Sequence, residues 1–110
     1  MERENKIMKG IVYYKKIEDG IKQISKIAQD YKNIGIKITK TITTSTRIGF
    51  DFENGDEWRI APGVESSRGC ACNIAYIDRM IPDDIVEKVI MPTIKAFPYQ
   101  AYSYYNWGNW

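Results

Sequence analysis

The pair Asn54-Gly55, which separates two runs of alternating apolar and polar residues, restricts the fold of this chain more than any other feature. Asn-Gly is the strongest short-range signal for a β-hairpin, because glycine readily adopts the left-handed backbone of tight turns. A two-residue loop would place aromatic and charged side chains together on one face. A three-residue loop with a left-handed Gly55 instead pairs Phe50 with Trp58, and we therefore predict this register.

The half of the chain before the hairpin predicts a strand, a helix and a second strand. Residues 10–14 are rich in β-branched and aromatic side chains, which is typical of a strand. Over residues 17–31 the apolar side chains recur at helical spacing, and Asn33 and Gly35 predict the end of this helix. Residues 36–43 alternate isoleucine with lysine and threonine, which indicates a strand with one apolar face.

The half after the hairpin predicts one more strand and one more helix. Residues 73–78 are a compact apolar run, typical of a strand buried on both faces. Pro82 with the two aspartates after it predicts a helix start, and Pro92 predicts either its end or a kink, with a further turn over residues 93–97. The tail, residues 99–110, holds six aromatic residues and no charge. It either packs back over the sheet or forms an aromatic patch for a partner.

Together these elements predict an α/β fold, with a small mixed sheet, an antiparallel hairpin and two main helices. The length of 110 residues fits one domain, residues 1–110. The net charge of only +2 gives no strong attraction to nucleic acid or anionic membranes. No apolar run reaches the ~20 residues of a membrane span, and the first residues lack the apolar core of a signal peptide.

The sequence contains no histidine, the commonest general base and metal ligand. This excludes every nucleophile that depends on a histidine partner. Cys70 and Cys72 supply only two of the four ligands of a structural zinc site, and their spacing in an extended segment is poor for a disulfide. We predict two reduced cysteines near the core of a cytoplasmic protein, with no metal and no cofactor.

The middle of the chain carries a series of short motifs. In chain order they are Asn54-Gly55, Arg68-Gly69, Tyr76-Ile77-Asp78 and Ile81-Pro82. Their order and spacing, over about residues 46–94, resemble part of the ATPase domain of phage large terminases. In that family a hairpin ending in Asn-Gly precedes an Arg-Gly turn, and a hydrophobic strand then delivers the Walker B acids. The resemblance implies a partial P-loop-NTPase-like core in a protein of a phage or other mobile element, located in the host cell.

Two parts of a working ATPase site are missing from this sequence. The Walker A pattern G-x-x-x-x-G-K-[ST] is absent, so no glycine-rich loop cradles the phosphates of a nucleotide. The resemblance places Asp78 at the end of the Walker B strand, but Arg79 replaces the acid expected after it. Since positioning and charge stabilisation supply most of phosphoryl-transfer catalysis, the resemblance implies a chain that is not an enzyme.

The charged residues of this stretch have alternative interpretations. Asp78 and Arg79 either pair with Arg68, Asp83 or Asp84, or lie with Arg68 in a crevice where Arg68 and Arg79 bind a phosphate or a partner's carboxylate. The acids around the hairpin tip are either a solvated end or a mimic of phosphate against a basic partner. These acids are Asp51, Glu53, Asp56 and Glu57.

Three functions are compatible with this sequence. The first is a non-catalytic module that binds a protein or nucleoprotein, such as an inhibitor of a host defence nuclease of the anti-CRISPR kind. Its candidate contacts are Arg68, Asp78, Arg79, Tyr102, Tyr104, Tyr105, Trp107 and Trp110. The second is a nucleic-acid-binding accessory protein of phage DNA metabolism or packaging. Its candidate contacts are Lys22, Lys26, Arg47 and Arg59. The third is weak nucleotide binding at Asp78. Separately, an open sheet edge or the aromatic tail would allow the chain to form a homodimer.

Overall fold

The computed structural model describes residues 8–44, 47–67, 71–94 and 101–105. Its strands are β1 (Lys9–Tyr14), β2 (Ile38–Thr43), β3 (Ile48–Phe52), β4 (Glu57–Pro62), β5 (Ile74–Asp78) and β6 (Ala101–Tyr105). They form one sheet in the order β2-β3-β4-β1-β5-β6. The strands β2, β3 and β4 pair antiparallel, whereas β4, β1, β5 and β6 run parallel. The predicted mixed α/β fold is confirmed.

The hairpin has the register predicted from the sequence, with a three-residue loop. Phe50 lies opposite Trp58, and the Phe52 N–H donates a hydrogen bond to the Asp56 carbonyl at 2.9 Å. The loop therefore holds three residues, and its last residue, Gly55, has a φ of +98°. A side chain at this φ would be strained, which is why glycine suits the position.

Both predicted helices form. The first, α1 (Ile17–Asn33), has buried Ile24 and Ile27 on its inner face and ends before Gly35, whose φ is +85°. The second is a helical segment with α-helical Asp83–Ile85, π-helical Val86–Ile90 and a 3-10 turn at Met91–Thr93. No helix in the described ranges is long and apolar enough to cross a membrane.

The sheet is covered on both faces, so the core has two parts. Beneath α1 lie residues that include Val12, Phe52, Trp58, Ile60 and Tyr105. Beneath the helical segment 83–93 lie residues that include Ile11, Tyr13, Ala61, Ala75 and Ile77. Cys72 is buried in this second part, as predicted, while Cys70 lies outside the described residues. The central strands β1 and β5 are therefore the best protected part of the fold.

The strand β2 lies at an outer edge of the sheet and is largely exposed. The pairing with β3 shifts at a bulge between Ile38 and Lys40, so Ile38 lies opposite Phe52 on the α1 face and Ile42 lies opposite Gly49 on the other face. Ile38 is 43% exposed and Ile42 is half-buried. A bulge and a lysine on an edge strand both hinder pairing with another chain. The apolar face predicted for this strand is thus only partly used.

The strand β6 has no equivalent in the sequence prediction, which treated residues 99–110 as a tail. Residues 101–105 of that tail pair in parallel with β5 along its whole length. The Tyr105 hydroxyl donates to the Tyr13 carbonyl at 2.8 Å, inside the core. Burial of the ring, together with the charges of Asp78 and Asp19, raises the pKa of Tyr105 well above its ordinary value. Tyr105 is therefore a core residue of this fold.

Candidate functional site

The strands β4, β1, β5 and β6 are parallel, so their carboxyl ends meet at one edge of the sheet. In open α/β sheets this edge is where ligands bind. Asp78 closes the interior strand β5 at this edge, and Tyr105 lies beside it in the register of β6. We therefore take this carboxyl edge as the candidate functional site.

The carboxylate of Asp78 is turned into the protein. Asp78 is 0% exposed, and its Oδ1 accepts a hydrogen bond from the Met80 N–H at 2.9 Å. Oδ2 lies 3.4 Å from the Lys15 N–H, a longer hydrogen bond. Asp78 therefore ties the end of β5 to the end of β1 through backbone groups. Of the partners predicted for Asp78 and Arg79, Asp83 and Asp84 are exposed, and Arg68 lies outside the described residues.

The connection from β1 to α1 is short. Tyr14 ends the strand and Ile17 begins the helix, so only Lys15 and Lys16 lie between them. A phosphate-cradling loop at such a strand-to-helix turn needs several glycines, whose backbone can approach the ligand closely. The connection in this chain contains none.

Arg79 lies beside the aromatic residues of β6. Its guanidinium carbon is 5.3 Å from the centroid of the Tyr104 ring, within cation–π range. The ring of Tyr102 stands perpendicular to that of Tyr104, with 6.1 Å between centroids. Tyr102 is 52% exposed and Arg79 is also exposed. These three residues form a small surface, which we call the Arg79–tyrosine patch.

The backbone of β6 has one free side among the described residues. The Ala101 N–H donates to the Asn73 carbonyl, and the Tyr105 carbonyl accepts from the Arg79 N–H, so both groups point toward β5. Backbone direction alternates along a strand, so the N–H and C=O groups of Tyr102 and Tyr104 point away from β5. In the described ranges no strand pairs with this outer side of β6.

The four cations predicted to contact nucleic acid do not share one face. Lys22 and Lys26 are exposed on the outer side of α1. Arg59 alternates with Trp58 and Ile60, which pack beneath α1, so its side chain lies on the opposite face of the sheet. Arg47 and Arg59 instead line one hollow together. The other two aromatic candidates, Trp107 and Trp110, lie outside the described residues.

The prediction of a solvated acidic hairpin tip is wrong for Asp56. This residue is only 6% exposed, and its Oδ1 accepts the Met8 N–H at 2.9 Å. Its Oδ2 accepts from the Tyr31 hydroxyl at 2.7 Å and from Asn54 Nδ2 at 3.2 Å. Asp56 therefore binds the hairpin to α1 and to the start of β1. No sequence pattern identifies this role, because the donors come from distant parts of the chain.

The solved structures with a similar fold include those of phage large terminases. The large terminase of a thermophilic bacteriophage aligns with a TM-score of 0.66 at 11% identity, over 89% of this chain and 26% of that chain. The ATPase domain of the Thermus phage P74-26 large terminase aligns with a TM-score of 0.61 at 12% identity. That alignment covers 88% of this chain and 47% of the domain. The fold is similar to part of a terminase ATPase domain.

The terminase-like fold confirms the resemblance found in the sequence motifs. The chain spans only about a quarter of the length of the first of these two terminases. That terminase has also been solved with ADP and with ATP-gamma-S.

No protein-family profile and no curated protein matches the sequence. Within the described ranges, no group of three or more histidine, cysteine or acidic residues is placed to hold a metal ion.

Proposed function

We propose that this chain is a non-catalytic binding module, built on a terminase-like core, that acts by contact with a partner protein. The observation that carries the proposal is the burial of Asp78. Its carboxylate is 0% exposed and occupied by backbone N–H groups, at the position where the terminase resemblance expects a metal-binding acid. A carboxylate in this state offers no oxygen to a nucleotide-bound Mg²⁺ without breaking the junction of β1 and β5.

The contact surface that we propose is the outer side of β6 with the Arg79–tyrosine patch. Backbone groups on the free side of a strand pair readily with a strand of another protein, which gives affinity without a deep pocket. Exposed tyrosine and arginine side chains are the residue types that dominate binding energy in protein interfaces. The partner would therefore add a strand beside β6 and place an acidic or polar side chain against Arg79.

The cellular setting that we propose follows from the phage-type fold. The chain would belong to a phage or another mobile element and would bind a protein or nucleoprotein in the host cytoplasm. A concrete form is an inhibitor of a host defence nuclease, of the anti-CRISPR kind. This form is tested directly by adding the purified chain to a candidate nuclease and measuring cleavage of its DNA substrate.

Excess Mg²⁺-ATP is expected to have the same effect on the melting temperature of the wild type and of the Asp78→Asn variant, because the buried Asp78 carboxylate does not bind the Mg²⁺ of the nucleotide. A ligand that binds only the folded state at a hundred times its Kd would stabilise it by about 2.7 kcal/mol, a shift that thermal denaturation readily detects. The matched control is the Asp78→Asn variant, which should respond to Mg²⁺-ATP as the wild type does. A rise in melting temperature that Asp78→Asn abolishes would contradict the proposal.

Replacing Tyr102 by proline is expected to weaken partner capture about tenfold or more. Proline removes the outward N–H that a partner strand would use, whereas the edge strand itself tolerates proline at a position whose N–H does not bond to β5. A second variant, Tyr102→Ser, keeps the backbone and removes only the exposed ring. The measurement is the amount of one identified host protein retained by the immobilised chain.

The control variant for this experiment is Lys26→Gln on the outer side of α1, away from the edge strand β6. It should retain the partner fully, and thermal denaturation should show that both Tyr102 variants remain folded. Equal capture by the wild type, Tyr102→Pro and Tyr102→Ser would remove β6 from the binding surface.

A further inference from the structure

A hollow with a volume of about 320 Å³ lies beside the carboxyl end of β4, away from the Arg79–tyrosine patch. Its polar lining includes Arg47 and Arg59, and Ser66 and Ser67 of a short 3-10 turn complete that side. Its apolar wall comes from residues such as Ile11, Ala61 and Pro62. The hollow is therefore amphipathic, lined both by cationic side chains and by hydrocarbon.

Arg59 is held in place before any ligand arrives. Its Nη1 donates to the Trp58 carbonyl at 2.9 Å and to the Phe50 carbonyl at 3.3 Å. The side chain can cross to β3 because Gly49 has no side chain: a Cβ there would lie 2.4 Å from Arg59 Cδ. A guanidinium fixed in this way loses little conformational entropy when it binds a ligand.

The remaining edge of the Arg59 guanidinium has capacity to bind. No hydrogen-bond acceptor for Nε or Nη2 is found within the described part of the chain. Asp51 Oδ1 lies 2.9 Å from Nη1, but that nitrogen already directs its hydrogens to two carbonyls, so this contact is electrostatic. The Nε and Nη2 edge is the fork that matches two oxygens of a phosphate.

The charge around the hollow favours an anion. Among the described residues, its lining contains two arginines and no acid, and Asp51 offsets the positive charge of Arg59. Arg47 is exposed, and its backbone is fixed because its N–H donates to Thr44 Oγ1 at 2.9 Å. The Ser67 hydroxyl donates to the Pro62 carbonyl, which fixes the serine turn at the end of β4.

We infer that this hollow binds the phosphate of one nucleotide unit, with the sugar or base against the apolar wall. Its volume is near the lower end of the ~300–1,000 Å³ typical of ligand pockets, which suits one small ligand. The phosphate ester comes either from a free mononucleotide or from a strand of nucleic acid. This inference does not depend on the binding surface proposed at β6, because the residues are different.

The test is an NMR titration of the whole protein with three separate probes at about 150 mM salt. The probes are inorganic phosphate, adenosine 5′-monophosphate and a short single-stranded thymidine oligonucleotide. The expected result is a shift of the Arg59 Nε–H signal and of the Ser66 amide signal. Shifts with the mononucleotide identify a free nucleotide as the source, and shifts with the oligonucleotide alone identify a nucleic acid.

Two variants make the test specific. Arg47→Gln removes an exposed charge and should weaken binding about tenfold, or ~1.4 kcal/mol. Arg59→Lys keeps the charge but loses the fork, and should weaken binding by a similar factor. Lys26→Gln is the matched control and should bind as the wild type does. The inference is overturned if no probe shifts these signals, if inorganic phosphate alone does so, or if Arg47→Gln binds as tightly as Lys26→Gln.

Discussion

Replacing Asp56 by alanine is expected to lower the free energy of unfolding by about 3 kcal/mol, a large part of the stability of a domain of this size. The carboxylate accepts hydrogen bonds from Met8, Tyr31 and Asn54, which belong to three different parts of the fold. Alanine would leave the Met8 N–H and the Tyr31 hydroxyl, both partly buried, without this acceptor. The measurement is urea denaturation of the purified variant.

The loss should spread beyond the hydrogen bonds themselves, because Tyr31 is the main link between α1 and the hairpin. Its ring stacks on Phe52 with centroids 3.9 Å apart, and its hydroxyl accepts from Trp58 Nε1 at 3.0 Å. Burial, and then the hydrogen bond to Asp56, raise the pKa of Tyr31 well above its ordinary value. The hydroxyl therefore stays protonated and continues to donate to Asp56 at neutral pH.

Asp30→Ala, at an exposed position on α1, is the control for this experiment and should change stability by less than ~0.5 kcal/mol. Asp56→Asn keeps an acceptor and should lose less than Asp56→Ala. If Asp56→Ala were no less stable than Asp30→Ala, the acid at the hairpin tip would be solvated after all.

Replacing Gly10 by alanine is expected to destabilise the protein by about 3 kcal/mol, at the upper end for overpacking a core. A Cβ at this position would lie 2.3 Å from the ring of Trp58, which is paired with Gly10 across β1 and β4. Trp58 is 4% exposed, and its ring contacts Tyr76 edge-on with centroids 5.5 Å apart. The ring therefore cannot move aside at little cost.

A double-mutant cycle tests this cause. Trp58→Leu removes the ring that fills the space over Gly10, so Gly10→Ala should cost markedly less in that background than in the wild type. Denaturation of the four proteins gives the coupling energy, which should reach about 1 kcal/mol or more. Additive losses would show that the cost arises in the backbone of β1 and not from contact with Trp58.

The sequence alone determined the elements whose causes are local. The helical spacing of residues 17–31, the Asn54-Gly55 turn and the apolar run before Asp78 each predicted the element that forms. The requirement that Phe50 and Trp58 share one face also predicted the register of the hairpin, because a one-residue slip would move every side chain of a strand to the other face. The motif order also pointed to the terminase-like fold.

The burial of individual residues and the surfaces available for binding become known from the tertiary structure and not from the sequence. Asp56 is buried because it meets Met8, 48 residues away, and β6 is fixed because Tyr105 reaches Tyr13, 92 residues away. Arg47 and Arg59 line one hollow, and the sheet separates this hollow from the lysines of α1. Contacts at such separations depend on the order of the strands in the sheet, which leaves no periodic pattern in the sequence.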